Sequence, residues 1–318
     1  MTIHSNNRLG TLPSLTLVLI FLGVAPTFSQ SLPQHAVRVA APLEPIDDTF
    51  IALESAETMV LAEWEVVNDL GARIRIVWGQ EAVDAAPPEA SRYVQRSYVF
   101  PTGTIRVLEF KEGQGGMLHA ITVETALYML EGEGKVEVAG KTIAIGQGDV
   151  VSYPSGTLRG EGDATVILWH VTGTKINGNA KATVVRAKDA SFRQLGYWNG
   201  PDGSRIIATT SEDLQEAPPD AIRLDLNNYQ FDGNRVSVTK NYKGGPTNKN
   251  RSDLDALIYI TSGKMRFFQD DVDVIAEPGD AIREIAGRYH NWIRLEDSSF
   301  VATSTAPMAP LAQDTQND

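Results

Sequence analysis

Displaced against itself by a constant offset of 131, the chain brings its turn and aromatic signals back into register. Gly113 falls on Gly244 (244 − 113 = 131), Gly132 on Gly263, Gly148-Asp149 on Gly279-Asp280 and Gly156 on Gly287. Tyr98 and Phe100 fall on Tyr229 and Phe231, and Tyr128 on Tyr259. Glycines recurring at one offset mark backbone turns that a side chain would hinder. One supersecondary plan is therefore used twice. The match needs no insertion, which predicts equal spacing through both halves.

The repeated unit is legible as strands. Thr125, Leu127 and Met129 alternate with Ala126, Tyr128 and Leu130, the period-2 pattern of a β-strand. Glu131 to Gly134 reads as a turn, Lys135 to Val138 as a strand, Ala139-Gly140-Lys141 as a turn and Thr142 to Ile145 as a strand. Gly146 to Asp149 turns again, and Val150 to Tyr153 is a strand stopped by Pro154. Elsewhere Ala72 to Trp78 and Thr165 to Val171 read as strands, with Gln80 to Ser91 and 181–220 largely loop and interdomain packing. Short strands with a turn at every junction predict an all-β sandwich or barrel with little helix.

Two motif blocks carry a resemblance. Gly113-x5-His119-x-Ile121-x3-Thr125-x6-Gly132 resembles the first cupin motif, and Gly148-x5-Pro154-x-Gly156-x2-Arg159-x3-Asp163 the second. The resemblance implies two tandem cupin barrels (double-stranded β-helix, or jelly roll), a bicupin covering roughly residues 95–172 and 226–303. The corresponding organisation is a signal peptide at 1–30, a linker at 31–59, a first cupin domain at 60–180, a second at 181–305 and a tail at 306–318. The length of 318 residues suffices for two domains with sizeable cores.

Positions 1–30 place Arg8 ahead of an apolar run from Leu12 to Val24 and small residues at Thr27 to Ser29. This is the order of a secretory signal cleaved near Gln30; an uncleaved N-terminal anchor is the alternative. The expectation is a periplasmic or secreted protein with no membrane association once the signal is removed. Net charge is −12, so no basic footprint for nucleic acid is present. Cysteine is absent, which excludes disulfides, thiol catalysis and thiolate metal sites. The sequence leaves homo-oligomerisation open.

In metal-binding cupins, two histidines and a glutamate of the first motif and a histidine of the second ligate the metal. Here those positions hold His119, Ile121, Thr125 and Arg159 in the first repeat, and Asn250, Ser252, Ala256 and His290 in the second. Isoleucine and alanine cannot ligate, and arginine stays protonated. Glu124 or Asp255, one residue early, would have to swing inward. No cofactor is therefore expected; Mn, Fe or Zn is the alternative that the wider resemblance implies.

Without a metal, the first barrel is expected to place Arg159 in its interior. There Arg159 pairs with Glu124 or Asp163, or receives an anionic ligand while His119 acts as general acid or base. In the second barrel His290 faces Asn248 and Asn250, a neutral pocket suited to a sugar or polyol. A core histidine satisfied by its neighbours is the plainer reading. The function expected is metal-independent isomerase or lyase chemistry on a small polar or anionic molecule. A non-catalytic small-molecule or sugar-binding bicupin, and a metal-dependent dioxygenase or decarboxylase, are the alternatives.

Overall fold

A computed structural model describes residues 49–68, 71–111, 119–121, 126–138, 141–152, 156–171, 183–202, 204–231, 234–246, 250–252 and 254–304. The segment expected to be a signal peptide, the tail, Glu124 and Asn248 lie outside these residues, as do the side chains of His119 and Asn250. The first half supplies β1 (Phe50–Ile51), β2 (Glu57–Asn68), β3 (Gly71–Trp78), β4 (Ser91–Phe100), β5 (Gly103–Phe110), β6 (His119–Ile121), β7 (Ala126–Val138), β8 (Lys141–Gly146), β9 (Val150–Ser152) and β10 (Gly156–Val171). The second supplies β11 (Thr183–Val185), β12 (Ser191–Asn199), β13 (Arg205–Ala208), β14 (Ile222–Phe231), β15 (Asn234–Asn241), β16 (Gly244–Pro246), β17 (Asn250–Arg251), β18 (Ala256–Ser262), β19 (Met265–Gln269), β20 (Val272–Ala276), β21 (Ala281–Glu284), β22 (Tyr289–Arg294) and β23 (Ser298–Ser304). Helix is confined to α1 (Gln80–Asp84), α2 (Ser211–Glu216) and two 3-10 turns among the described residues. No helix among them is long and apolar enough to cross a membrane.

The first barrel is one antiparallel sheet ordered β11-β9-β7-β10-β5-β4-β2-β3, with β6 on β10 and β8 on β7. The second divides into β1-β21-β18-β23-β15-β14-β12-β13 and β16-β22-β19-β20, with β17 on β22. The all-β, two-barrel expectation holds. Two stretches that read as loop are ordered instead. Gln80 to Asp84 forms α1, entered through Gly79 at φ 86°, and Ser191 to Asn199 forms β12. Both carry weak periodicity and are fixed by tertiary packing, α1 through Val83 against Ala62 and Val77.

The repeat is visible in three dimensions. Gly148 N–H donates to Met129 O (2.8 Å) and Gly279 N–H to Ile260 O (2.9 Å), closing the same turn in each barrel. Gly132 and Gly263 take φ 79° and 70°. A Cβ on Gly132 would collide with Asp163 O, and one on Gly263 with Asp297 O. Glycine is thus required twice at one place. The two colliding carbonyls, however, differ by 134 in number (297 − 163 = 134), not by 131. The offset is 131 for β4, β5, β7 and β9, and 134 where β10 pairs with β5 and β7 as β22 and β23 pair with β15, β18 and β19. The expectation of a repeat without insertion is thus corrected by three. Nor is Gly132 a hairpin turn in the first barrel: β7 runs through it as one bent strand.

The arms preceding each barrel are exchanged. β1 pairs with β21 of the second barrel (Phe50 with Ile282), and β11 pairs with β9 of the first (Val184 with Val151). Asp280 accepts from Leu53 N–H at 2.8 Å, and Asp149 from Ala187 N–H at 3.0 Å. A boundary at 181 thus leaves β11 on the sheet of the domain before it.

The repeated aromatics lie between the barrels. Tyr98 meets Tyr259 edge-on at 5.8 Å, and Tyr128 meets Tyr229 at 6.5 Å. Tyr98 Oη donates to Gly279 O at 2.6 Å. These rings join a buried cluster with Trp169 and Phe231. Burying an aromatic removes about 150–250 Å² from water, so this cluster dominates the cohesion of the two halves.

Candidate functional site

The interiors of the two barrels differ. The first is filled by an apolar cluster that includes Tyr93, Phe110, Met129, Val136, Leu158 and Leu168. The second has a smaller cluster of Ile258, Ile260, Phe267, Ile282 and Trp292. Beside it lies a cavity of about 230 Å³ whose polar walls are Tyr197, Thr239, Asn241, Glu284, His290 and Arg294.

Strand β22 explains the arrangement. Its sequence, Tyr-His-Asn-Trp-Ile-Arg, alternates outward and inward, so His290, Trp292 and Arg294 share the inner face and Tyr289 points out at 57% exposure. Trp292 forms the apolar floor, tilted against Phe267 at 4.6 Å and stacked on Phe300 at 5.9 Å. Its indole N–H donates to Glu284 Oε1 at 2.8 Å. The same oxygen lies 3.4 Å from His290 Nε2, and Phe267 stacks on the imidazole.

Arg294 is 6% exposed. Its Nε donates to Asn241 Oδ1 at 3.0 Å, while Nη1 is buried without a partner among the described residues. His290, also 6% exposed, leaves Nδ1 in the same condition. Burial pushes the Arg294 guanidinium down to about 10, with Tyr197 opposing that shift. It still carries its charge at neutral pH. A buried charge with an unfilled donor calls for an anionic partner. The cavity therefore offers donors at Arg294, and at its other end a carboxylate and an imidazole.

The expected site residues divide. His290 lies in the cavity wall, and Asn250 is its Cα partner across β17 and β22. His119 is the Cα partner of Leu158 on β6 and β10. Arg159 does not face the interior: on β10 it alternates with Leu158 and Gly160, both buried, and is itself exposed. The register is the reason: where β10 and β22 pair with β7 and β19 the offset is 134, so Arg159 does not stand at the position of His290 (159 + 131 = 290). Asp255 is not free to swing inward either; Arg283 and the Ala286 amide hold it at 2.8 and 2.7 Å. Sequence reading misses Arg294, Glu284 and Asn241. A signal is present for Arg294, which follows His290 by four positions on an alternating strand.

Residues 102–177 match the family model of the EutQ-like cupin domain. The first barrel is a cupin domain. With its plan repeated in the second half, the chain has the architecture of a bicupin. Among solved structures the bicupin is similar to protein Ylba from E. coli (12% identity, 67% of this chain and 82% of that one, TM-score 0.47). It is also similar to oxalate decarboxylase from Bacillus subtilis (11% identity, 83% and 78%, TM-score 0.48). A third is Streptomyces albus HEPD with 2-hydroxyethylphosphonate and Fe(II) bound (8% identity, 78% and 74%, TM-score 0.49). No curated protein matches the chain by sequence.

Cupin folds often hold a divalent metal, so the fit of the second barrel to one can be tested. Among the described residues no three His, Asp or Glu side chains converge on a metal position. The cavity offers His290 and Glu284 as donors, and Glu284 already accepts from Trp292. A guanidinium lines the same space. Two donors beside a fixed positive charge do not suit a divalent transition metal.

Proposed function

We propose that the protein is an exported bicupin whose second barrel binds a small anionic molecule. It acts on that molecule by metal-independent acid–base chemistry of the isomerase or lyase type. The observation that carries the reading is the buried Nη1 of Arg294, unpartnered among the described residues, on a side chain that lines a cavity together with His290. Arg294 and Asn241 hold the anion. Glu284 Oε1 lies 3.4 Å from Nε2 and stands against one side of the imidazole. His290 then takes a proton from the bound molecule and returns it. Return to a different atom or face is isomerisation; return to a departing group is elimination. Trp292 and Phe300, stacked at 5.9 Å, give the cavity an apolar side. Export rests on the order of charge, apolar run and small residues in positions 1–30.

The test is a turnover screen of small carboxylates with the full chain, its His290→Gln variant and its His119→Gln variant. Loss of a general acid–base group typically costs about 10²–10⁴ in rate. His290→Gln is expected to show that loss with its circular dichroism spectrum unchanged, and His119→Gln to retain activity. Activity that survives His290→Gln but vanishes with His119→Gln moves the site to the first barrel. Activity removed by a chelator and restored by Mn or Fe overturns the metal-independent reading.

A further inference from the structure

The two ends of the second-barrel cavity are chemically opposite, and this restricts what fits between them. At Arg294 the wall presents a guanidinium, which has donors and no acceptor, with its Nε bonded to Asn241 Oδ1 and Nη1 unpartnered among the described residues. At the other end stand the Glu284 carboxylate, an acceptor, and His290, whose Nε2 lies 3.4 Å from Glu284 Oε1 and whose buried Nδ1 has no partner among the described residues. His290 and Arg294 stand four positions apart on an extended strand, so their Cα atoms are separated by about 13 Å, four steps of roughly 3.3 Å. Trp292 occupies the face between them.

Resting on the proposed function, we infer that the ligand is a monocarboxylate with a hydrogen-bond donor, hydroxyl or ammonium, at its far end and a short apolar chain between. The carboxylate lies at Arg294, the chain over the Trp292 indole, and the donor at His290 and Glu284. A second carboxylate at the far end would face Glu284 with like charge and find an acceptor where it needs a donor; such mismatches are the usual basis of discrimination. The cavity volume, about 230 Å³, is below the range of drug-sized pockets and suits a molecule of this size.

Titration calorimetry on the full chain with butyrate, 4-hydroxybutyrate, 4-aminobutyrate, glycolate and succinate tests this. One or both of the 4-substituted acids should bind about tenfold or more tighter than butyrate, as one buried hydrogen bond would give. Which of the two does so distinguishes hydroxyl from ammonium. Succinate and glycolate should be weaker than either. His290→Phe, which keeps a ring against Phe267, should erase the tenfold preference of the 4-substituted acids over butyrate. If butyrate, succinate and the 4-substituted acids bind alike, or the preference survives His290→Phe, this inference falls while anion binding stands. If none of the five binds, both fall.

Discussion

At the place where the second barrel sets Arg294 against Asn241, the first sets Gly160 against Phe110. The equivalence follows from strand pairing. Gly134 pairs with Gly160 as Met265 pairs with Arg294, and Phe110 pairs with Ala164 as Asn241 pairs with Ser298. A Cβ on Gly160 would lie 2.7 Å from the Phe110 ring, so that ring fills the space which the arginine side chain takes in the second barrel. By the same pairing Leu108 stands where the second barrel has Thr239, and Leu158 where it has Trp292. One backbone plan thus yields a packed core and a polar cavity. The difference lies in a few inward side chains, which is how one fold carries unrelated functions or none.

The first barrel is not wholly apolar inside, and this gives the largest expected effect. Glu63, only 1% exposed on β2, occupies the position of Tyr197 (63 + 134 = 197). Burial lifts its carboxyl from 4.5 to about 8, and a hydrogen bond with Tyr93 lowers it in smaller part. The folded state therefore holds a proton that the unfolded chain gives up between about pH 4.5 and 8. Its contribution is complete below pH 4.5 and is lost as the pH rises through 8. Urea unfolding should show stability falling across that window by on the order of a few kcal/mol. Glu63→Gln should flatten the fall. An equally steep profile in the variant would show that Glu63 is ionised or solvated in the fold, and the barrels less different than they look.

The next effect is on binding. Arg294→Met should weaken a small carboxylate by roughly 10- to 150-fold, the equivalent of about 1.5–3 kcal/mol for a charged hydrogen bond. Substituting Phe110→Asn in the first barrel should not alter affinity, because no guanidinium faces that position among the described residues. Calorimetry of both variants against butyrate decides it. Unchanged affinity in Arg294→Met would place the anion elsewhere and remove the functional contrast between the barrels.

The repeat, the strands and the family resemblance are readable in the sequence because turn glycines and period-2 alternation are local signals. Gly132 and Gly263 do sit at one structural position. The site is less legible. Motif spacing finds His290, yet the same spacing puts Arg159 inside when it is exposed. A motif fixes register only where no residues are inserted, and the second repeat gains three between β21 and β22. A shift by an odd number turns an outward residue into an inward one. Arg294 and Asn241 meet from well-separated strands, and only tertiary pairing brings them together. The exchanged arms are invisible for the same reason.

The smallest effect tests the comparison at its origin. If Phe110 excludes a side chain at position 160, then Gly160→Ala should destabilise the first barrel by about 1–3 kcal/mol, the usual cost of overpacking a filled core. Backbone strain is not the cause, because Gly160 is not among the glycines with positive φ. The cause is the close approach of the ring. Phe110→Leu, which removes ring atoms from that space, should therefore relieve much of the cost of Gly160→Ala. A double-mutant cycle measured by urea unfolding isolates the term, and residues in direct contact typically couple by about 0.5–3 kcal/mol. Coupling of that size means that the first barrel is closed by a specific exchange of side chains at one strand position. Additive effects would mean that the ring and the glycine do not meet, and that the closed interior arises from packing spread over the whole barrel.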